Sequence, residues 1–282
     1  MGEIFKILIY NGSMTIKNTL ENYNLKPSKA LGQNFLVDRN ILEKIIKAAE
    51  VNPGDTILEI GPGTGILTKE LAKYAGKVIA VEKDRKIMGL LKENLKNCKN
   101  VELINADILK TDIQKLISGF YKVVANLPYY ITSPIIRKFL ENPPAGGPPE
   151  FMVLMVQKEV GQRICSSPPD MNLLAVSVQF YGNPEIVSYV SKNSFWPKPK
   201  VDSAIIKIKP TADKRKADAD LFFKIAKAGF SQPRKQLLNN LSKSLEMEKT
   251  KTAEWLSQNN ISEKQRAETL SVQDWINLAN TY

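Results

Sequence analysis

The chain has 282 residues, 43% of them hydrophobic, enough for one large domain or two modest ones with full cores. Its 40 Lys and Arg against 29 Asp and Glu leave a formal charge of +11, which points to a polyanionic partner, nucleic acid first; a solvated lysine-rich surface is the milder reading. Histidine is absent and Cys98 and Cys165 are the only cysteines, which excludes Ser-His-Asp and Cys-His catalysis, imidazole bases, histidine metal sites and Cys-x-x-Cys frameworks.

The apolar run at residues 5–10 is too short for a signal-sequence core, and no apolar stretch approaches the ~20 residues of a membrane span. Residues 1–25 are therefore expected to be an N-terminal extension, with Met14 an alternative start, on a cytoplasmic protein whose two thiols stay reduced. Asp38 is placed to cap a helix reaching residue 50, with Ile41, Leu42, Ile45, Ile46 and Ala49 on one face. Pro53-Gly54-Asp55 then turns into residues 56–60, a short apolar run of the kind found in buried parallel strands. After a glycine-rich loop, residues 66–74 read as a helix, 78–81 as a strand ending at Glu82, 87–97 as a helix and 101–104 as a strand ending near Asp107. A fourth strand ends at Asn126, residues 133–140 are helical, the Pro/Gly-rich stretch 142–149 breaks that helix, and 151–156 is a fifth strand. Strands alternating with helices imply an open, mostly parallel sheet with helices on both faces. Beyond Pro169, residues 173–181, 185–189 and 201–208 read as strands without a helix between them, an antiparallel addition at the sheet edge. The charged stretch 211–218 is the expected domain boundary, dividing residues 26–210 from a small all-α bundle at 211–282.

Glu59-Ile60-Gly61-Pro62-Gly63-Thr64-Gly65 lies between a predicted strand and a predicted helix, where sheets of this type bind ligands. Its glycines let the backbone approach a ligand closely, but they do not follow the G-x-G-x-x-G spacing of dinucleotide sites. Glu59, just before the turn, suits an amino group better than a pyrophosphate. Glu82 ends the next strand, where a carboxylate can accept from both hydroxyls of a ribose, and Asp107 ends the third, where it can accept from an adenine amino group. Singly, either acid reads as a solvated residue at a strand end. Together, with no phosphate-binding lysine, the three fit S-adenosylmethionine better than NAD or ATP.

Asn126-Leu127-Pro128-Tyr129 follows an apolar strand. An exocyclic amino group is a poor nucleophile because its lone pair is delocalised into the ring. An asparagine oxygen and the carbonyl before a proline can accept its two N–H bonds and localise that lone pair, and an aromatic ring can stack on the base. A plain strand end with a Pro turn is the alternative reading.

These motifs occur in order with others. Leu31-Gly32-Gln33-Asn34-Phe35-Leu36, Phe195-Trp196-Pro197-Lys198-Pro199-Lys200-Val201-Asp202-Ser203, Gly229-Phe230-Ser231-Gln232-Pro233-Arg234-Lys235 and Arg266-Ala267-Glu268-Thr269-Leu270 complete a set spanning residues 26–275. The chain resembles the small-subunit rRNA adenine dimethyltransferases of the bacterial kasugamycin-sensitivity type. The resemblance implies a Rossmann-like class I S-adenosylmethionine-dependent methyltransferase domain followed by a helical rRNA-binding domain. It implies that Asn34 and Leu36 touch the cofactor from a segment folded over it. Gly61, flanked by Gly63 and Gly65, would meet its methionine end, Glu82 its ribose, and Asp107 with Ile108 its adenine, while Asn126 serves both cofactor and target. The implied activity is N6,N6-dimethylation of two adjacent adenosines near the 3′ end of 16S rRNA in immature small subunits, by a monomer without metal. Phe195 is expected to close the target pocket, or else to pack in a rigid loop at the sheet edge. Lys198, Lys200, Arg234 and Lys235 are expected to meet RNA phosphates, or else to be solvated. The family's short loop with glycine and an aromatic is replaced by Cys165-Ser166-Ser167-Pro168-Pro169-Asp170-Met171-Asn172, which two prolines should stiffen. Two alternatives share features of this pattern: a 23S rRNA adenine methyltransferase of the macrolide-resistance type, and a non-catalytic RNA-binding assembly factor.

Overall fold

The computed structural model describes residues 16–141, 143–144, 146–211 and 217–282. The 5–10 run, Met14, parts of the 142–149 break and most of the charged boundary lie outside the described residues. In chain order the elements are α1 (Ile16–Asn22), β1 (Phe35–Leu36), α2 (Arg39–Ala48), β2 (Thr56–Ile60), α3 (Ile66–Leu71), β3 (Lys77–Glu82), α4 (Met88–Leu95), β4 (Val101–Asn105), β5 (Lys122–Asn126), α5 (Thr132–Leu140), β6 (Met152–Gln157), α6 (Lys158–Ile164), α7 (Leu173–Gln179), β7 (Gly182–Val190), β8 (Phe195–Trp196), β9 (Ser203–Pro210), α8 (Ala219–Gly229), α9 (Leu237–Ser244), α10 (Lys249–Gln258) and α11 (Val272–Asn280). No helix among the described residues is long and apolar enough to cross a membrane.

Seven strands form one sheet in the order β4-β3-β2-β5-β6-β9-β7. The five from β4 to β6 pair in parallel, and β9 runs antiparallel to β6, with Leu154 opposite Ile206. Ile57, Leu58, Val78, Ile79, Val123, Val124 and Leu154 are all buried, which is why these strands read as continuous apolar runs rather than alternating ones. The chain winds outward from β2 through β3 to β4 and returns to β5 on the other side of β2. Such a reversal opens a crevice at the strands' carboxyl ends. The ends of β2, β3 and β5 therefore meet there, bringing Glu59, Glu82 and Asn126 within reach of one ligand.

Contacts divide the chain into two compact units, Met1–Gly161 with Glu185–Pro210, and Gln162–Pro184 with Thr211–Tyr282. In the first, α1 lies within the expected N-terminal extension yet buries Ile16 and Leu20 with Phe35, Ile87 and Leu90. In the second, α8 packs against α7, α9 and α11, and Phe222 stacks on Phe180 with ring centroids 4.0 Å apart. Gly229 is dictated by packing, since a Cβ there would lie 2.3 Å from Cη2 of the buried Trp275.

Residues 173–181, expected as a strand, instead form α7 and its end. Asn172 decides the matter locally: its side chain accepts from the Ala175 N–H at 3.1 Å, an N-cap that a strand cannot use. A short apolar run carries no period that separates a buried strand from a buried helix. The substituted loop before it is tied down as well, with Asn172 Nδ2 donating to the Arg163 carbonyl and to Ser166 Oγ.

Candidate active site

The loop after β2 has Gly61 and Gly63 at φ +67° and +59°, in the left-handed region that favours glycine. A Cβ on Gly63 would stand 3.1 Å from the Phe35 ring, so this loop and the N-terminal segment close on each other. Gly65 differs. At φ +83° it starts α3, and a Cβ there would come within 2.8 Å of Leu91 Cδ1. It sets the packing of α3 on α4 and does not line the pocket, a correction to its expected place at the cofactor.

One pocket takes in Asn34, Leu36, Glu59, Gly61, Gly63, Glu82, Asp107, Ile108, Asn126, Leu127, Pro128 and Tyr129. Glu59 is 1% exposed, the Thr68 side chain is its polar neighbour, and among the described residues its Oε2 has no hydrogen-bond partner. Burial pushes its carboxyl up to about 8. Glu82 is also raised by burial, although Oε1 accepts from the Asp84 N–H at 2.7 Å and Oε2 from the Gly63 N–H at 3.1 Å. Each oxygen keeps a second lone pair for a ligand hydroxyl. Burial alone would raise Asp107, but an ion pair with Lys83 at 3.0 Å and the Leu109 N–H at 3.1 Å outweigh it and hold the carboxyl below its ordinary value.

On the other side of the pocket, Asn126 Nδ2 donates to the Asn34 carbonyl at 3.1 Å, and Asn34 Nδ2 donates to the Gly32 carbonyl at 3.1 Å. Leu127 is buried, with its N–H on the Met155 carbonyl, so it anchors the turn. The Tyr129 hydroxyl is 2.8 Å from Ser203 Oγ, and burial raises its pKa. Ser203 is fully buried at the start of β9, and the preceding Asp202 accepts from the Lys192 N–H at 2.9 Å. The ring of Tyr129 is thus held at its far end.

Several expected site residues lie elsewhere. Phe195, expected either to close the target pocket or to pack in a rigid loop at the sheet edge, is buried opposite Leu36 in the β1–β8 pairing, within the core that holds Ile41, Ile45 and Ile205. An aromatic flanked by prolines signals rigidity but not direction. Lys198 and Lys200 are exposed on either side of buried Pro199 and do not line the pocket. Arg234 and Lys235 belong to the second unit, exposed on the turn between α8 and α9, and Asn240 Nδ2 braces the start of that turn through the Gly229 and Gln232 carbonyls. Sequence reasoning missed Gln33, Lys83, Asp84, Tyr130 and Ser203. Gln33 and Asp84 meet each other, Lys83 meets Asp107 and Ser203 meets Tyr129 across long stretches of chain that no local pattern announces, while Tyr130 is placed only as lining of the pocket, although Gln33 and Ser203 sit inside motifs already singled out. Among the described residues no group of acidic and sulfur side chains could hold a metal ion.

The ribosomal RNA adenine dimethylase family matches residues 24–282, nearly the whole chain and every element that builds this pocket. The chain belongs to the ribosomal RNA adenine dimethylase family. It is a methyltransferase, and the mostly parallel sheet is the Rossmann-like fold of that class. Among its relatives, the ribosomal RNA small subunit methyltransferase A of Dehalococcoides mccartyi is 47% identical over 271 residues, covering 94% of this chain and 92% of the relative. A solved dimethyladenosine transferase from Plasmodium falciparum superposes with a TM-score of 0.73 at 29% identity, covering 86% of this chain and 95% of that one. The solved 23S rRNA methyltransferase ErmE gives 0.72 at 26%, covering 88% and 99%. The fold is therefore shared almost equally with a dimethyladenosine transferase and a 23S rRNA methyltransferase.

Proposed function

We propose that this dimethylase uses S-adenosylmethionine to place two methyl groups on N6 of each of two adjacent adenosines near the 3′ end of 16S rRNA, acting as a cytoplasmic monomer on immature small subunits. The observation that carries the methyl-acceptor chemistry is the Asn126 amide, turned by the Asn34 carbonyl so that its oxygen is the free end. The higher identity to a named small-subunit methyltransferase than to ErmE favours the small-subunit target.

The pocket fits the cofactor. An orphaned, buried Glu59 Oε2 is costly unless a donor meets it, and the amino group of the methionine moiety is such a donor. Gly61, flanked by Gly63, would meet the methionine end, Glu82 the ribose, Asp107 with Ile108 the adenine, and Asn34 and Leu36 would touch the cofactor from the segment folded over it. Bound there, S-adenosylmethionine supplies an electrophilic methyl group. Asn126 Oδ1 and the Leu127 carbonyl accept the two N–H bonds of the target amino group, so its lone pair is localised and aimed. Tyr129 stacks on the extruded base. The nitrogen that gains a methyl group becomes cationic and loses its proton to water. No strong base is needed, which a chain without histidine can satisfy. After the first transfer one N–H remains, and one of the two acceptors suffices to orient it.

Lys198, Lys200, Arg234 and Lys235 meet rRNA phosphates in this reading, with residues 26–210 as the catalytic domain and 211–282 as the RNA-binding one. The test compares initial rates of labelled methyl incorporation into small-subunit particles lacking the modification and into large-subunit rRNA. A preference for the large-subunit RNA would move the enzyme to the macrolide-resistance type.

A further inference from the structure

Gln33 precedes Asn34 and uses both ends of its amide. Nε2 donates to Asp84 Oδ2 at 2.8 Å, and Oε1 accepts from the Ser28 N–H at 2.8 Å. Asp84 lies two residues past Glu82, and its own N–H donates to Glu82 Oε1. Segment 28–36 is therefore fastened at three points: to Asp84 by Gln33, to Asn126 by the Asn34 carbonyl, and to β8 by Phe35 and Leu36.

We propose that Gln33 is a positioning residue for methyl transfer: by tying segment 28–36 to Asp84 it holds the Asn34 carbonyl where that carbonyl orients the Asn126 amide. This inference rests on the function proposed above. Among the described residues the Asn34 carbonyl is the partner of the Asn126 amide nitrogen. Once it drifts, nothing prevents the amide from turning its NH2 toward the target, donor against donor. A main-chain carbonyl in a short irregular segment keeps its place only if neighbouring side chains pin the segment, because loops without such ties open at little cost. Gln33 is adjacent to Asn34 and makes, among the described residues, the segment's one side-chain bond to a carboxylate, a charge-assisted bond stronger than its neutral neighbours. The same tie joins the target side of the pocket to Glu82, so the cofactor and target ends share one support.

The test uses the full chain and the variants Gln33→Ala, Asp84→Ala, both together, and Gln33→Glu. Hydrogen exchange of residues 28–36 in the cofactor-free protein should accelerate about tenfold or more in Gln33→Ala, with β5 and β6 amides unchanged. The kcat for methyl transfer should fall about tenfold in each single variant, and the double variant should be no worse than the singles, as for two ends of one bond. Gln33→Glu sets a second carboxylate against Asp84, and its activity relative to the native enzyme should recover as pH falls and the introduced group becomes a donor again. Unchanged exchange at 28–36 in Gln33→Ala, or a double variant whose loss is the product of the single losses, overturns the proposal. Exchange is read without methyl transfer. A native enzyme that methylates no rRNA would defeat the proposed function, while the Gln33–Asp84 tie would still stand or fall on exchange alone.

Discussion

Asn126 Nδ2 donates to the main-chain carbonyl of Asn34, 92 residues earlier in the chain, at 3.1 Å. A carbonyl only accepts, so this contact fixes which end of the amide turns away from it, and the free end is an acceptor. The end of the strand is in this way matched to an amino group and mismatched to a carbonyl.

Asn126→Ala removes that acceptor and should lower kcat about 10²–10³-fold, the usual loss for one preorganised hydrogen-bonding group, while the Kd for S-adenosylmethionine changes far less. Asn126→Asp is the sharper variant. It keeps size and acceptor oxygens but cannot donate to the Asn34 carbonyl, so it should be nearly as defective as Asn126→Ala. Single-turnover rates with rRNA, beside equilibrium binding of the cofactor, check both. An active Asn126→Asp would show that the contact with Asn34 does not matter.

Tyr129 is held through its hydroxyl by buried Ser203. Tyr129→Ala should cost about 1–3 kcal/mol of base stacking, or roughly 5–150-fold in kcat/KM for RNA. Tyr129→Phe and Ser203→Ala keep the ring and lose only its tether, so each should cost at most about tenfold, and the pair should not add. Additive losses would mean that the two side chains act independently.

The strand ends and the glycine loop were legible because a buried parallel strand is a continuous apolar run, and the polar residue that ends it stands out. Glu59, Glu82, Asp107 and Asn126 could all be read that way, and all four line one pocket. Leu173 to Gln179 misled for the same reason: a helix buried on several sides is also an apolar run. Gly65 looked like its loop neighbours, yet its freedom is spent on packing against Leu91. Phe195 could have faced a base or a core, and only the pairing of β8 with β1 decides. Gln33, Asp84 and Ser203 act across 51 to 74 residues of chain, a distance over which spacing carries no signal.

Glu59 makes stability depend on pH in a stated direction. Its ordinary value is 4.5 and its folded value about 8, so between those limits the cofactor-free folded chain holds a proton that the unfolded chain releases. Stability therefore falls as pH rises from about 4.5 to 8 and levels off above. Thermal unfolding across that range should show the decline, and Glu59→Gln should flatten it. Because a bound ammonium favours the ionised carboxyl, cofactor binding near neutral pH should release up to about one proton, seen by calorimetry in buffers of different ionisation heat. Proton release that persists undiminished in Glu59→Gln would assign it to another group.

Arg234 and Lys235 are exposed on a braced turn. If they meet phosphates, Arg234→Ala and Lys235→Ala should each weaken rRNA binding and lower the slope of log K against log salt by about one unit. The Kd for S-adenosylmethionine should not move. An unchanged salt slope would leave both as solvated surface charges.

The most direct measurement supplies purified enzyme and S-adenosylmethionine to small-subunit particles that lack this modification, and maps every methylated nucleoside. N6,N6-dimethyladenosine should appear at two adjacent positions near the 3′ end of 16S rRNA, at a rate about 10²–10³-fold lower when Asn126→Ala replaces the native enzyme. Methyl groups on large-subunit rRNA alone, or on an atom other than adenosine N6, would contradict the proposed function.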